Sequence, residues 1–247
     1  MKKIIFLSIG LILLAVISCS AYQLWDINQS TVQETQLHNR LMQYRLMPMP
    51  LISDDSVSES SAITNPAHTE PAPHINQSIV DLQVSYPDTV GWLTVPNTRI
   101  DYPFVQGVDN DNYLQFDLDQ KWSAAGTVFM DFRNNRGLSD FNTIIYGHHM
   151  QSGSMFGTLQ SFNDQAFFDA NRTGTIFLSD RTYEIEFMTF AVIRPNDAVI
   201  YNPWITTDAD KTAFLDYVST TARHWRDIGL RYTGRLYGVL FRQRKVR

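Results

Sequence analysis

The chain has 247 residues, a formal net charge of −5, 44% hydrophobic and 13% aromatic residues. That length fits one sizeable globular domain with appendages, and the acidic balance argues against a nucleic-acid binder. With a single cysteine, Cys19, an intramolecular disulfide is excluded.

The first 25 residues, MKKIIFLSIGLILLAVISCSAYQLW, set Lys2 and Lys3 before an apolar run from Ile4 to Ile17 that continues more weakly to Trp25. As a helix this segment would be about 33 Å long, enough for a bilayer core of about 30 Å. Residues 1–25 are expected to be a signal anchor, a single-pass transmembrane helix. The two lysines would keep its start cytoplasmic and place the remainder outside the cell membrane. A lipoprotein signal ending at Cys19 and a cleaved signal peptide remain as alternatives.

Residues 26–47 are polar with spaced apolar positions (Ile27, Leu37, Leu41, Tyr44) and read as a helical stalk. Residues 48–78 are rich in Pro, Ser, Ala and acids and too poor in large apolar side chains to fold, so they read as a flexible linker. His68 and His74 fall there, as solvated residues.

The folded domain is expected over residues 79–247. VGWLTVPNTRIDYPFVQ alternates short β-branched and aromatic runs with Pro, Asn and Gly, the mark of short strands. AGTVFMDF and FNTIIYG predict further strands, and GTIFLSDRTYEIEFMTFAVI a hairpin turning near Ser179-Asp180. A short helix is predicted over 164–171. A second is predicted from about Asp208 to Trp225, capped by Thr207 or Asp208, with Phe214, Tyr217, Val218 and Trp225 on one face. The fold class is mostly β, a closed or nearly closed β-barrel carrying short helices. From Arg223 onward the composition shifts: eight of the twenty Lys and Arg residues stand there with one acid, Asp227.

NTIIYGHHM runs a strand into a glycine and two histidines. Gly147 would let the backbone turn and leave His148 at the rim, where a reacting group can approach. Imidazole titrates near neutrality, so His148 is a candidate general acid/base, although the GHH run alone favours a hydrogen-bonded surface residue. Adjacent side chains leave a strand on opposite faces and cannot easily share one ion, and no acid or histidine stands at ligand spacing, so neither a metal nor a cofactor is expected.

The runs DNDNYL, AGTVFMDFRN and NTIIYGHHM, in that order, resemble the class B sortases, cysteine transpeptidases of Gram-positive cell surfaces. The resemblance extends to about Trp225. It implies a β-barrel enzyme held outside the membrane by an N-terminal anchor. Such an enzyme cleaves the C-terminal sorting signal of an exported protein, holds the product as a cysteine thioester, and passes it to an amine of a cell-wall precursor or a pilin. By motif the family's histidine falls on His148, and its substrate-groove positions on Asn110, Leu114 and Tyr146. The family's nucleophile stands in a TLSTC-like motif that would fall near Phe241, followed by an arginine on the next strand. No such run occurs; Arg235, Arg242 and Arg244 lie in no matching motif. The chain is therefore expected to be a truncated or frameshifted class B sortase, aberrant after about Leu230, with final strands missing or aberrant and without catalytic activity. The alternative is a pseudoenzyme that binds sorting signals without cutting them.

Overall fold

The computed structural model describes residues 2–45 and 75–228. The expected linker up to residue 74, and the basic tail after residue 228, lie outside the described residues.

Helix α1 (Lys2–Leu41) passes without a break through the expected boundary between anchor and stalk. Among the described residues, no helix is long and apolar enough to cross a membrane. The expectation of a transmembrane helix over residues 1–25 is not met there. The strongly apolar stretch of this helix gives way at Ser18 and Ser20, well before Trp25.

Helix α2 (Gln77–Ser85) leads into β1 (Thr89–Thr94) and β2 (Asp101–Val105). A single helical turn, α3 (Asn112–Gln115), precedes β3 (Phe129–Met130) and β4 (Ile145–Tyr146). Then come α4 (Gln165–Ala170), β5 (Thr173–Leu178), β6 (Thr182–Glu186), β7 (Thr189–Ala191), α5 (Asp208–Thr221) and β8 (Ala222–Trp225). The hairpin of β5 and β6 turns through Ser179 and Asp180, with Phe177 opposite Thr182. Thr207 caps α5 by accepting the Asp210 amide at 3.1 Å. The helix ends at Thr221, so Trp225 stands in β8 opposite Thr189 and not on the helix face.

Six strands form one sheet in the order β4-β3-β2-β1-β5-β6, with only β2 and β3 parallel. Side chains alternate between its two faces, as the strand period of two requires. Leu93, Phe104, Met130, Ile145, Ile176 and Ile185 point to a first face, covered by Phe156, Leu159, Phe162 and Phe168. Trp92, Val105 and Phe129 point to the second face, covered by Ile79 and Leu82 of α2, by Tyr113 and Leu118, and by Leu41 of α1. α5 packs separately, through Phe214 and Val218, onto Met188, Ile200 and Ile205.

Among the described residues the expected closed barrel is not formed. Closure needs a strand to join the two outer members, β4 and β6, and among the described residues none does. β7 and β8 pair only with each other. The architecture is a curled half-barrel whose free edge at β4 leads into Gly147 and His148.

The end of α1 lies on the second face. Leu41 is buried, Arg40 pairs with Asp119 at 2.6 Å and Arg45 with Asp101 at 2.6 Å. Such exposed pairs contribute at most about 1 kcal/mol each, so the apolar contact does most of the holding. After the gap, Asn76 is already buried; its backbone amide donates to the Ser179 carbonyl at 2.8 Å. Its side-chain amide donates to the carbonyls of Leu178 and Arg181 and to the Thr182 hydroxyl. Asn76→Ala would orphan acceptors in the β5–β6 turn and is predicted to cost about 1–3 kcal/mol, read by thermal or denaturant unfolding.

Candidate active site

The loop between β2 and β3 is organised by its own polar groups. The Asp109 carboxylate accepts the backbone amides of Asp111 and Asn112 at 2.9 and 2.8 Å, which starts α3. Those two amides hold the Asp109 carboxyl below its ordinary value.

A one-turn helix leaves its carbonyls to be satisfied from outside. The Phe116 amide donates to Asn112 O at 3.0 Å, the Thr127 amide to Tyr113 O at 2.8 Å, and the Ser123 amide to Gln115 O at 2.8 Å. The Thr127 hydroxyl donates to Phe116 O at 3.0 Å. The Leu114 carbonyl receives its donor from just beyond β4: His148 Nε2, at 2.6 Å. A carbonyl only accepts, so this imidazole carries its hydrogen on Nε2.

Gly126 makes this arrangement possible. Its φ is +59°, and a Cβ there would lie 2.6 Å from Tyr113 O and 2.7 Å from Leu114 O. No other residue could pass so close to the two carbonyls. Gly147 is needed for a reason the sequence did not suggest. A Cβ would meet the Phe156 ring at 2.8 Å, so the glycine admits an aromatic ring under the strand end. The chain then folds back, with the Phe156 amide on the His148 carbonyl at 2.9 Å and Met155 opposite His149. His148 is thereby buried, only 6% exposed, where the sequence suggested an imidazole standing open at a rim.

Asn110 and Tyr146 meet on a group the sequence reading passed over. Asp131, fully buried, accepts Asn110 Nδ2 at 2.9 Å and the Tyr146 hydroxyl at 2.8 Å. Arg133 adds its backbone amide at 3.0 Å, Nε at 2.8 Å and Nη2 at 2.7 Å. Burial alone would raise the Asp131 carboxyl; the donors from Arg133, Tyr146 and Asn110 outweigh it and hold the carboxyl below its ordinary value. Burial, then the Asp131 charge, push the Tyr146 phenol upward, so it stays a donor across the working pH range. The other end of the Asn110 amide accepts the Phe132 amide at 3.1 Å, which fixes its orientation.

Arg133 carries the network onward. Its Nη2 donates to the Tyr201 carbonyl at 3.0 Å, and its guanidinium lies 5.3 Å from the exposed Trp204 ring. Tyr201 stacks on Tyr146 at 6.1 Å. A second wall, residues 201–204, thus stands beside the strand edge. Asp131 and Arg133 could have been suspected from the acid–base pair in MDFRN; Tyr201 and Trp204, some seventy residues downstream, carry no local signal.

The structure therefore joins Asn110 to Tyr146 through Asp131, and Leu114 to His148 through a carbonyl. Leu114 and Tyr146 both pack on the second face of the sheet. Among the described residues no group of three or more His, Cys, Asp or Glu gathers to hold a metal. A separate cavity of about 390 Å³ lies away from this edge, between α1 and the β2–β3 loop, lined by Gln33, Leu37, Arg40, Asp117 and Lys121.

Because the Asp131 carboxyl is held below its unfolded value, its stabilisation is complete above about pH 4 and is lost as pH falls through the folded value. Asp131→Asn is predicted to be about 3–5 kcal/mol less stable at neutral pH, with the gap to the parent narrowing below about pH 4, read by denaturant unfolding across pH.

No family model matches the chain. Sortase B of Listeria monocytogenes is 39% identical over 145 residues, 58% of this chain and 57% of that protein. A solved sortase B from the type II pilus of Streptococcus pneumoniae is 40% identical, covering 61% of this chain and 81% of that one, with a TM-score of 0.52. A solved Streptococcus pyogenes class B sortase involved in pilus biogenesis is 31% identical, covering 62% of this chain and 82% of that one, with a TM-score of 0.58. The chain spans less than three fifths of the length of the curated relatives it matches, 57% and 58%. With this identity across four fifths of solved sortases, and the half-barrel that carries it, the chain belongs to the class B sortase family.

Proposed function

We propose that this chain has the sorting-signal cleft of a class B sortase-type cysteine transpeptidase and, as written, cannot carry out the transfer. The observation that carries this reading is the meeting of Asn110, Leu114, Tyr146 and His148 along one strand edge. Polar groups already held in place on a rigid sheet suit recognition of an extended peptide.

In the reaction this reading implies, a thiolate attacks the scissile carbonyl of the sorting signal. The tetrahedral adduct collapses to a thioester as the amide nitrogen leaves with a proton from His148. An amine of a cell-wall precursor or a pilin then attacks the thioester, gives a proton back to His148 and restores the thiolate. The chain supplies no thiol for the first step. Cys19 stands exposed on α1, and residues 20–247 contain no other cysteine. Losing the nucleophile of a coupled catalytic unit costs on the order of a millionfold. The chain would then bind sorting signals without cutting them, whether as a pseudoenzyme or as the product of a frame shifted after about Leu230; the nucleotide sequence of the locus decides between the two.

Attachment to the cell membrane, with the cleft outside, belongs to the same proposal. The apolar side chains from Leu11 to Ile17, with Leu11 65% and Ile17 66% exposed, favour a surrounding other than water. Full-length chain is expected to stay with membranes under alkaline wash and to be released when residues 1–25 are deleted; release of the full-length chain contradicts the anchor.

The direct test of function incubates the chain with sorting-signal peptides taken from exported proteins of the same genome, and reads intact mass and peptide cleavage. The expected result is no acyl adduct and no cleavage by this chain, with both appearing when a cysteine-bearing C-terminus is restored from the locus. An adduct on the chain as given would overturn the assignment.

A further inference from the structure

A loop with no strand partner must find donors for its carbonyls elsewhere. In the loop between β7 and α5, residues 200–202 stand outside any strand, and their three successive carbonyls take side-chain donors from the segment that joins β3 to β4. Asn142 Nδ2 donates to Ile200 O and to Asn202 O, both at 2.9 Å, and Arg133 Nη2 donates to Tyr201 O at 3.0 Å. A primary amide carries two hydrogens, so Asn142 directs both to this one segment, one on each side of Tyr201. Asn142 is itself held: Asn134 Nδ2 donates to its carbonyl at 2.9 Å, and Asn134 Oδ1 accepts the Ile144 amide at 2.9 Å. We infer that Asn142 is a positioning residue for the proposed cleft: its two amide hydrogens set where the 201–204 wall stands relative to Tyr146, and so set the affinity for a sorting-signal peptide that never touches it.

Three features separate this role from plain folding. Asn142 is only 4% exposed, so a bound peptide has no route to it. The same loop has an independent hold on α5: Asp197 accepts the amides of Val199 and Ile200 at 3.0 and 2.9 Å and the Tyr217 hydroxyl at 2.5 Å, and Ile200 shares an apolar cluster with Phe214 and Val218. Phe141 meets Phe214 edge-on at 5.9 Å, which keeps α5 against the β3–β4 connection. Without the Asn142 amide the loop therefore keeps its own turns and its neighbour but loses its register on the strand edge. Both aromatic side chains of the wall depend on that register. Tyr201 lies between the two clamped carbonyls with its ring stacked on Tyr146, and Trp204 is placed from Asn202, whose Oδ1 accepts the Trp204 amide at 3.0 Å. Recognition geometry held to about 0.5 Å depends on such supporting bonds. This inference rests on the reading of the edge as a sorting-signal cleft and deepens it, by naming what holds the far wall in place.

The test uses the full chain and a fluorescein-labelled sorting-signal peptide, with affinity read by anisotropy and the wall read by hydrogen exchange over residues 198–205. Asn142→Ala is expected to weaken binding about tenfold, the equivalent of about one net hydrogen bond. Asn76→Ala is the control for a general loss of stability, because it orphans carbonyls in the β5–β6 turn, at the opposite edge of the sheet from β4. It is expected to bind the peptide as the parent does, and exchange over 198–205 should be faster in Asn142→Ala than in Asn76→Ala. Parent-like affinity in Asn142→Ala, or an equal loss in both variants, overturns the inference. Should Asn142→Ala fail to fold, Asn142→Ser, which keeps one donor, takes its place under the same criteria. A different result marks failure of the functional reading: a parent chain that binds no sorting-signal peptide overturns the cleft and, with it, this role for Asn142.

Discussion

A carboxylate with no access to water must be given donors, and the shape of the proposed cleft follows from how Asp131 gets them. Asn110, Arg133 and Tyr146 supply five bonds to its two oxygens. These donors come from the β2–β3 loop, from just beyond β3 and from β4, so satisfying one charge ties three segments together. A network of this kind is strong when complete and costly when any member is lost. Arg133, once fixed, reaches the Tyr201 carbonyl and lies by Trp204, which adds the far wall. The proposed cleft would thus follow from burying one acid, with the sheet acting as its base.

The two faces of the sheet divide the labour. The first is packed with aromatic side chains and includes the ring of Phe156 beneath Gly147. The second carries α2, the end of α1 and the loop that holds Leu114. Helix α1 and the candidate cleft therefore share one apolar layer, through Leu41 and Leu37 on one side and Leu114 and Tyr146 on the other. A protein held by its N-terminal helix would present the cleft at a defined orientation because of that shared layer.

Much of this was legible in local sequence. Trp92 and Leu93, or Phe129 and Met130, announce strands by adjacent residues fit for opposite faces, and Thr207 announces the start of α5. The runs DNDNYL and NTIIYGHHM contain Asn110, Leu114, Tyr146 and His148, of which the structure links Asn110 to Tyr146 through Asp131 and Leu114 to His148. What was hidden depends on distance along the chain. Gly147 read as a turn-maker because nothing nearby reveals that Phe156 returns beneath it. Asp131 drew no notice in the sequence, although its burial makes it the centre of the network. His148 read as open because the carbonyl that covers it belongs to Leu114, 34 residues earlier. The closed barrel was inferred from the number of short strands, but closure depends on which edges find partners, and among the described residues β7 and β8 pair only with each other.

The proposed peptide cleft would be formed jointly by the loop carrying Asn110 and Leu114 and by the segment carrying Tyr201 and Trp204, with Asp131 between them. Hydrogen–deuterium exchange of the full chain, with and without a bound sorting-signal peptide, addresses it most directly. Concerted protection of residues 107–116 and 198–205 is the predicted result. Protection confined to the cavity between α1 and the β2–β3 loop, with both of those segments unchanged, would contradict it.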